Sequence, residues 1–274
     1  MGPKGCTDLN VHHDEARLTA HLSDLGVQKG GVLLVHASVR AIGATTGGPA
    51  TVVRALRGAL GPAGTLAVPT FTPANSDTSP QYLERVRGLD EKEVAELRAA
   101  MAPFDPEVTP STTGLLSETV RQMPGAIRSE HPQTSFAALG EEAAKIIENH
   151  HLDCHLGEDS PLARLYDLHA QVLLLGVGFN VCTTFHLAEY RVPHPVRRPY
   201  NCVVTLDGQR QWWTYEDVAL DDGDFAALGA DFERASPVGT VRTGRVCSAT
   251  ARLFSLRKAA NFAQHWLPDH RPTS

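Results

Sequence analysis

The chain has 274 residues, 42% of them hydrophobic, and carries 25 Lys plus Arg against 31 Asp plus Glu for a formal net charge of −6. That length and apolar content support a sizeable core in one large domain or two small ones. The acidic balance argues against a nucleic-acid surface and suits a cationic small molecule, and aromatic residues are too few for a base-stacking platform.

Met1 to Cys6 contains no apolar segment of the secretory kind. No apolar run reaches the roughly 18 residues of a membrane span. The five cysteines are scattered and odd in number, so a disulfide framework is not expected and a cytoplasmic location is.

In chain order, Asp14 to Leu25 has the pattern of an amphipathic helix stopped at Gly26, and Gly31 to His36 that of a first core strand. Pro49 opens a helix to Leu60, Gly61 to Gly64 turns, and Thr65 to Val68 forms a second buried strand. Residues 74–113 are charged and proline-rich around a helical piece at Glu91 to Ala100, and so look like an insertion or lid. Helical sequence follows from Gly114 to Arg121, an apolar stretch at Phe136 to Gly140, and helices over 141–150 and after Ser160-Pro161. Val172 to Leu175 is a third core strand, broken by Gly176 and Gly178 and followed by a short helix. Thr183 or Thr184 is placed to cap that helix. Cys202 to Leu206 and Gln211 to Tyr215, joined at Asp207-Gly208, form a β-hairpin. A last helix is expected over Ala251 to Leu267. The alternation gives an α/β to α+β sandwich: a central mixed sheet with helices packed around it and a smaller antiparallel portion over 200–250.

His186 and Glu189 stand three apart on the helix after the third strand, so the carboxylate can reach the imidazole. An imidazole so held at a strand end has the attributes of a general base, although a structural or surface pair has the same spacing. Cys182, four residues before His186, offers a thiol nucleophile or an inert buried cysteine. The segment from Asn149 to Glu158 is rich in His, Cys and acids but matches no zinc spacing, and no metal is expected. The acids at 216–224 read as a solvated turn, as an anionic wall for an amine, or as a carboxylate source for His186. No nucleotide-binding glycine signature and no GxSxG elbow occur.

Several stretches then fall in one order: Val32-Leu-Leu-Val-His-Ala-Ser38, Leu60-Gly-Pro-Ala-Gly-Thr-Leu-Ala-Val-Pro-Thr70, Pro103-Phe-Asp-Pro106 with Thr109-Pro-Ser111, Arg128-Ser-Glu-His-Pro132 with Ser135-Phe-Ala-Ala138, Asp159-Ser-Pro-Leu-Ala-Arg164, and Leu173-Leu-Leu-Gly-Val-Gly178 leading to His186-Leu-Ala-Glu189. In these the chain resembles the aminoglycoside 3-N-acetyltransferases, over about residues 14–267. The resemblance implies one antibiotic N-acetyltransferase-like domain over 1–274, unrelated to the common small N-acetyltransferase fold, that moves acetyl from acetyl-CoA to an amine of the 2-deoxystreptamine ring. It implies His186 as the base and Asp217 as its stronger carboxylate partner ahead of Glu189; for the transfer step, backbone N–H groups or the threonines at Thr183 and Thr184 are expected at the oxyanion. The family's acid after the second strand maps to Asp77, and with Asp153, Glu158 and Glu216 it is expected to hold the remaining ammonium groups of the substrate. His36, Ala37, Ser38, Val39, Thr70, Thr112, Thr113 and Gly114 are implied as coenzyme A contacts. Another amine metabolite as acceptor, or a non-catalytic protein that binds cationic antibiotics, are the alternatives. A monomer or a homodimer fits the sequence equally.

Overall fold

The computed structural model describes residues 12–271, so the Met1 to Cys6 stretch lies outside the described residues. Seven strands form one mixed sheet: β1 (Val32–Ala37), β2 (Thr65–Pro69), β3 (Ile127–Arg128), β4 (Phe136–Gly140), β5 (Gln171–Leu175), then β8 (Arg242–Val246) and β9 (Ala249–Ser255). Between β5 and β8 in sequence, β6 (Arg197–Leu206) and β7 (Gln209–Val218) make a separate two-stranded hairpin. The order across the sheet is β3-β4-β2-β1-β5-β9-β8, with β1 parallel to both β2 and β5 and the remaining pairs antiparallel.

The central strands are apolar on both faces because helices cover both. Side chains alternate across a strand. Leu33, Val35, Leu66, Val68, Leu173 and Leu175 therefore pack with helices Glu15–Leu25, Pro49–Leu60 and Leu115–Arg121. Leu34, Ala67, Val172 and Leu174 point the other way, into the core shared with helices Pro161–Asp167, His186–Arg191, Phe225–Ala235 and Leu256–His270. The result is the expected layered sandwich around a mixed sheet.

Local signals behave as their chemistry requires. Asp14 caps the first helix through Arg17 N at 2.8 Å, and Gly26 ends it with φ 105°. Gly176 turns the chain out of β5 at φ 70°, where an added Cβ would lie 2.5 Å from the Ala41 Cβ.

Three expectations change. Ala251 to Ser255 is not the start of the last helix: it belongs to β9, which pairs antiparallel with β5, and the helix runs Leu256–His270. The antiparallel portion expected over 200–250 is two different things. Arg197–Val218 is the free hairpin, helix Phe225–Ala235 follows, and the β8–β9 hairpin extends the main sheet. Neither Thr183 nor Thr184 caps the helix at His186, because Thr183–Phe185 is itself a 3-10 turn and Phe185 is the N-cap residue.

Residues 74–113 lie on the β6–β7 hairpin. Ser76 pairs with Cys202 and its hydroxyl donates to the Asn201 carbonyl at 2.8 Å, while Phe104 N donates to the Val203 carbonyl at 3.4 Å. Arg210 Nε donates to the Met101 carbonyl at 3.1 Å. Helix Glu91–Ala100 buries no residue and is held by a capping box at Asp90 and Glu93. Among the described residues, Cys154, Cys182, Cys202 and Cys247 are free thiols, and no helix is long and apolar enough to cross a membrane.

Candidate active site

The ends of β1, β2 and β5 open on one side of the sheet, where parallel strands usually gather ligand groups. Beyond β5 the Gly176 turn and two 3-10 turns, Phe179–Val181 and Thr183–Phe185, deliver His186 as the first residue of its helix. His186 is 9% exposed and its Nδ1 lies 2.6 Å from Glu189 Oε2. A carboxylate accepts only, so Nδ1 carries a proton, and in the neutral ring the lone pair is on Nε2. Glu189, 4% exposed, is held at its other oxygen by Asp221 N at 3.1 Å and by the Arg271 guanidinium.

A cavity of about 270 Å³ opens beside this pair. His36, Ala37, Thr113, Thr183, His186 and Asp222 line it together with the apolar Pro69, Phe71, Val177 and Phe225. The His36 ring points toward the same side, its Nε2 3.2 Å from Thr183 Oγ1. Burial, and the neighbouring His186, lower the His36 pKa to about 4, so it is a neutral imidazole at physiological pH. A larger depression of about 460 Å³ lies between helices Pro80–Arg85 and Glu91–Ala100. It is lined by surface side chains such as Arg85, Glu93 and Glu96 and gathers no buried titratable group, so the smaller cavity is the candidate site.

Of the residues expected to meet coenzyme A, His36, Ala37 and Thr113 line the cavity. Ser38, Val39, Thr70, Thr112 and Gly114 do not line it. The Ser38 hydroxyl accepts from Ala41 N at 3.3 Å, and Val39 begins the short helix that Ser38 caps. Thr70 is fully buried with its hydroxyl on Ser135 at 3.0 Å. Thr112 donates through its hydroxyl to the Phe71 carbonyl at 3.0 Å, and Gly114 turns into helix Leu115–Arg121 at φ 113°.

Two assignments near the base are corrected. Asp217 does not reach His186: Oδ2 accepts from Tyr190 Oη at 2.5 Å and from His155 N at 2.8 Å, and Oδ1 from Val218 N at 2.7 Å. The carboxylate on the imidazole is Glu189. Thr184 is fully buried and does not line the cavity, whereas its neighbour Thr183 does.

The four acids expected to hold ammonium groups do not converge on the cavity. Asp77 takes Arg98 and Asn201, each at 3.0 Å; Glu158 takes Arg191 at 2.6 Å; Glu216 sits 3.4 Å from Arg197. Asp153 is exposed on the 149–158 loop. The cavity's own carboxylate is Asp222, which lies inside the acidic run at 216–224, so the anionic-wall reading of that run has a residue to rest on. Phe225, whose ring is 4.7 Å from that of His186, and Arg271 also escaped the sequence reading. The partner of Arg271 is 82 positions away, and no local pattern signals it.

Cys182 joins the two 3-10 turns and His186 opens the helix after them, so the two are not on one helix. Burial pushes the Cys182 thiol up to about 12, which removes the thiolate a nucleophile needs. Of the histidines in the 149–158 segment, His150 and His155 are engaged in the core and His151 is exposed. His150 contacts Ser129 Oγ at 3.0 Å and the His155 carbonyl at 3.0 Å, while His155 Nε2 meets Tyr215 Oη at 2.7 Å. His131 stacks on His150 with ring centroids 4.7 Å apart. Among the described residues, no group of three or more His, Cys, Asp and Glu is placed to hold a metal ion.

Residues 34–268 match the family model described as aminoglycoside 3-N-acetyltransferase. The chain belongs to this family. It is 36% identical over 255 residues to the SPbeta prophage-derived aminoglycoside N(3')-acetyltransferase-like protein YokD of Bacillus subtilis, covering 91% of this chain and 90% of the relative. The crystal structure of YokD superposes with a TM-score of 0.89, 33% identity and 96% coverage of both chains. Aminoglycoside N(3)-acetyltransferase III of Pseudomonas aeruginosa is 35% identical over 269 residues, 95% of this chain and 96% of that one. The structure of AAC-IIIb with CoASH aligns at a TM-score of 0.78 and 27% identity, over 96% of this chain and 100% of that chain. The acetyltransferase family match thus spans the sheet, residues 74–113 and the hairpin of this chain.

Proposed function

We propose that this aminoglycoside 3-N-acetyltransferase family member transfers the acetyl group of acetyl-CoA to the 3-amino group on the 2-deoxystreptamine ring of an aminoglycoside, in a direct ternary complex. The observation that carries the reading is the buried His186–Glu189 pair, whose imidazole lines the cavity at the ends of β1, β2 and β5. The acidic balance of the chain and the Asp222 carboxylate in the cavity wall favour a polycationic acceptor.

An amine attacks only through its lone pair. As the nitrogen bonds to the thioester carbonyl carbon, Nε2 of His186 takes its proton, and Glu189 supports the imidazolium through Nδ1. The carbonyl electrons move onto oxygen, where the Thr183 hydroxyl on the cavity wall is a donor. Collapse of the tetrahedral species breaks the carbon–sulfur bond, and the proton leaves on the coenzyme A thiol. The products are an amide and free coenzyme A. The apolar Pro69, Phe71, Val177 and Phe225 walls suit the acetyl thioester and keep water from competing.

The test is a thiol-release assay with acetyl-CoA and a deoxystreptamine aminoglycoside, with the product nitrogen located by NMR. The expected result is one thiol per acetylated drug, with the acetyl on the 3-amino nitrogen. Binding of the drug without thiol release would replace the reading with a binding protein, and acetyl on another nitrogen would replace its regiochemistry.

A further inference from the structure

Arg271 caps the end of helix Leu256–His270 and turns back toward the site. Its guanidinium is shared among three groups. It donates to Glu189 Oε1 and to both carboxylate oxygens of Asp224, with Nε 2.7 Å from Oδ2, and Nη2 also donates to the Asp221 carbonyl at 2.6 Å. It lies 5.9 Å from the Phe225 ring centroid, on the residue that contacts His186. Planar forked donors of this kind fix the direction of a carboxylate as well as its charge.

We propose that Arg271 is a positioning residue for the acetyl transfer: it clamps Glu189 in the orientation that holds His186, and it ties the Asp221–Asp224 loop, with the cavity residue Asp222, to that pair. The inference rests on the reading of His186 as the base. Glu189 has one oxygen on the imidazole, and the other has only Arg271 and Asp221 N to keep it there. With 4% of its surface exposed, the carboxylate cannot use bulk water in their place.

The same contact sets the charge around the base. The groups facing His186 are Glu189 on its own helix, His36 from β1, Asp222 from the loop and His155 from the 149–158 segment, with Arg271 behind Glu189. Removal of the guanidinium leaves the Glu189 charge uncompensated beside the imidazole. The protonated ring is then favoured, and a protonated base cannot accept the amine's proton.

The experiment compares Arg271→Ala, Arg271→Lys and Asp224→Asn in the full chain by pH–rate profiles for kcat and KM, with thermal melts alongside. Arg271→Ala is expected to lower kcat about tenfold or more, leave the acetyl-CoA KM within about twofold, and move the acid limb of kcat to higher pH. Arg271→Lys should recover part of the limb position because it keeps the charge. Asp224→Asn, which leaves Glu189 the only carboxylate on the guanidinium, should move the limb the opposite way. An acid limb that stays in place in all three variants, or a kcat loss in proportion to unfolded protein alone, overturns the proposal. If Arg271→Ala does not fold, the Lys and Asp224 variants carry the same decision. An inactive His186→Ala beside an unaltered Arg271→Ala rejects only the role of Arg271, whereas an active His186→Ala rejects the base reading beneath it.

Discussion

The Tyr190 hydroxyl donates to Asp217 Oδ2 at 2.5 Å, joining the helix of His186 to strand β7 of the hairpin. Tyr190 follows Glu189 directly, so Asp217 fixes the helix that presents the base without touching the base. Gly157 makes room for this: a Cβ there would lie 2.3 Å from Tyr190 Cδ1. The Leu156 N–H also donates to the tyrosine oxygen at 3.2 Å, which brings the histidine-rich loop into the same node.

Tyr190→Phe should therefore act on stability. It leaves the Leu156 N–H and one Asp217 oxygen short of a partner, a loss of about 1–3 kcal/mol. Urea denaturation should show that loss while kcat stays within about threefold. A collapse of kcat with unchanged stability would mean that Asp217 acts on the reaction more directly than its contacts imply.

Glu189→Gln separates the two carboxylates. The amide can present its NH2 to Nδ1 and so stabilise the wrong tautomer, with the proton on Nε2. A kcat lower by roughly 10²-fold is expected, part of the 10²–10⁴ that positioned proton transfer supplies. Asp217→Asn should cost kcat far less than this. Equal losses of kcat in folded protein would contradict the assignment of Glu189.

Stability should fall on mild acidification. Burial lowers His150 and His155 to about 3 and His36 to about 4, and it holds His131 well below the usual range. These depressed pKa values favour the neutral rings in the fold, so their contribution is complete above about pH 6.5, the unfolded value. It is lost as pH falls toward the folded values, at roughly 1.4 kcal/mol per pH unit for each ring. The melting temperature should drop steeply from pH 6.5 to 5, and less steeply in His150→Gln. A flat profile over that interval would contradict the buried neutral cluster.

Cys182→Ala should retain its turnover, because a thiol that titrates near 12 supplies almost no thiolate at neutral pH. Quenched-flow mass spectrometry of the wild-type chain should show no acetyl-enzyme. An acetylated Cys182, or an inactive but folded variant, would require a covalent route.

The parallel strands were legible because β1, β2 and β5 are short apolar runs closed by glycine or proline, and Asp207-Gly208 marks the free hairpin without ambiguity. Ala251 to Ser255 was not, since Ala, Arg, Leu and Phe followed by Leu256-Arg-Lys-Ala-Ala continue a helical composition. Pairing with β8 on one side and with β5, about 80 residues earlier, on the other makes that stretch a strand. The site divides in the same way. The three-residue spacing of His186 and Glu189 is a local property that a helix converts directly into contact. Arg271 becomes a site residue through the end of a distant helix, so its neighbours in sequence say nothing of it, whereas the acidic run at 216–224 marks the region of Asp222 without singling it out. Family order favoured Asp217 over Glu189, but the register of the long hairpin sends that carboxylate to Tyr190 and His155 instead.

The central claim is that His186 removes the amine's proton, and the most direct measurement is single-turnover acetyl transfer by folded His186→Ala, with acetyl-CoA binding followed by calorimetry. The predicted result is acetyl-CoA affinity within a few-fold of wild type and a transfer rate lower by about 10²–10⁴. A variant that binds acetyl-CoA and transfers acetyl near the wild-type rate would contradict it.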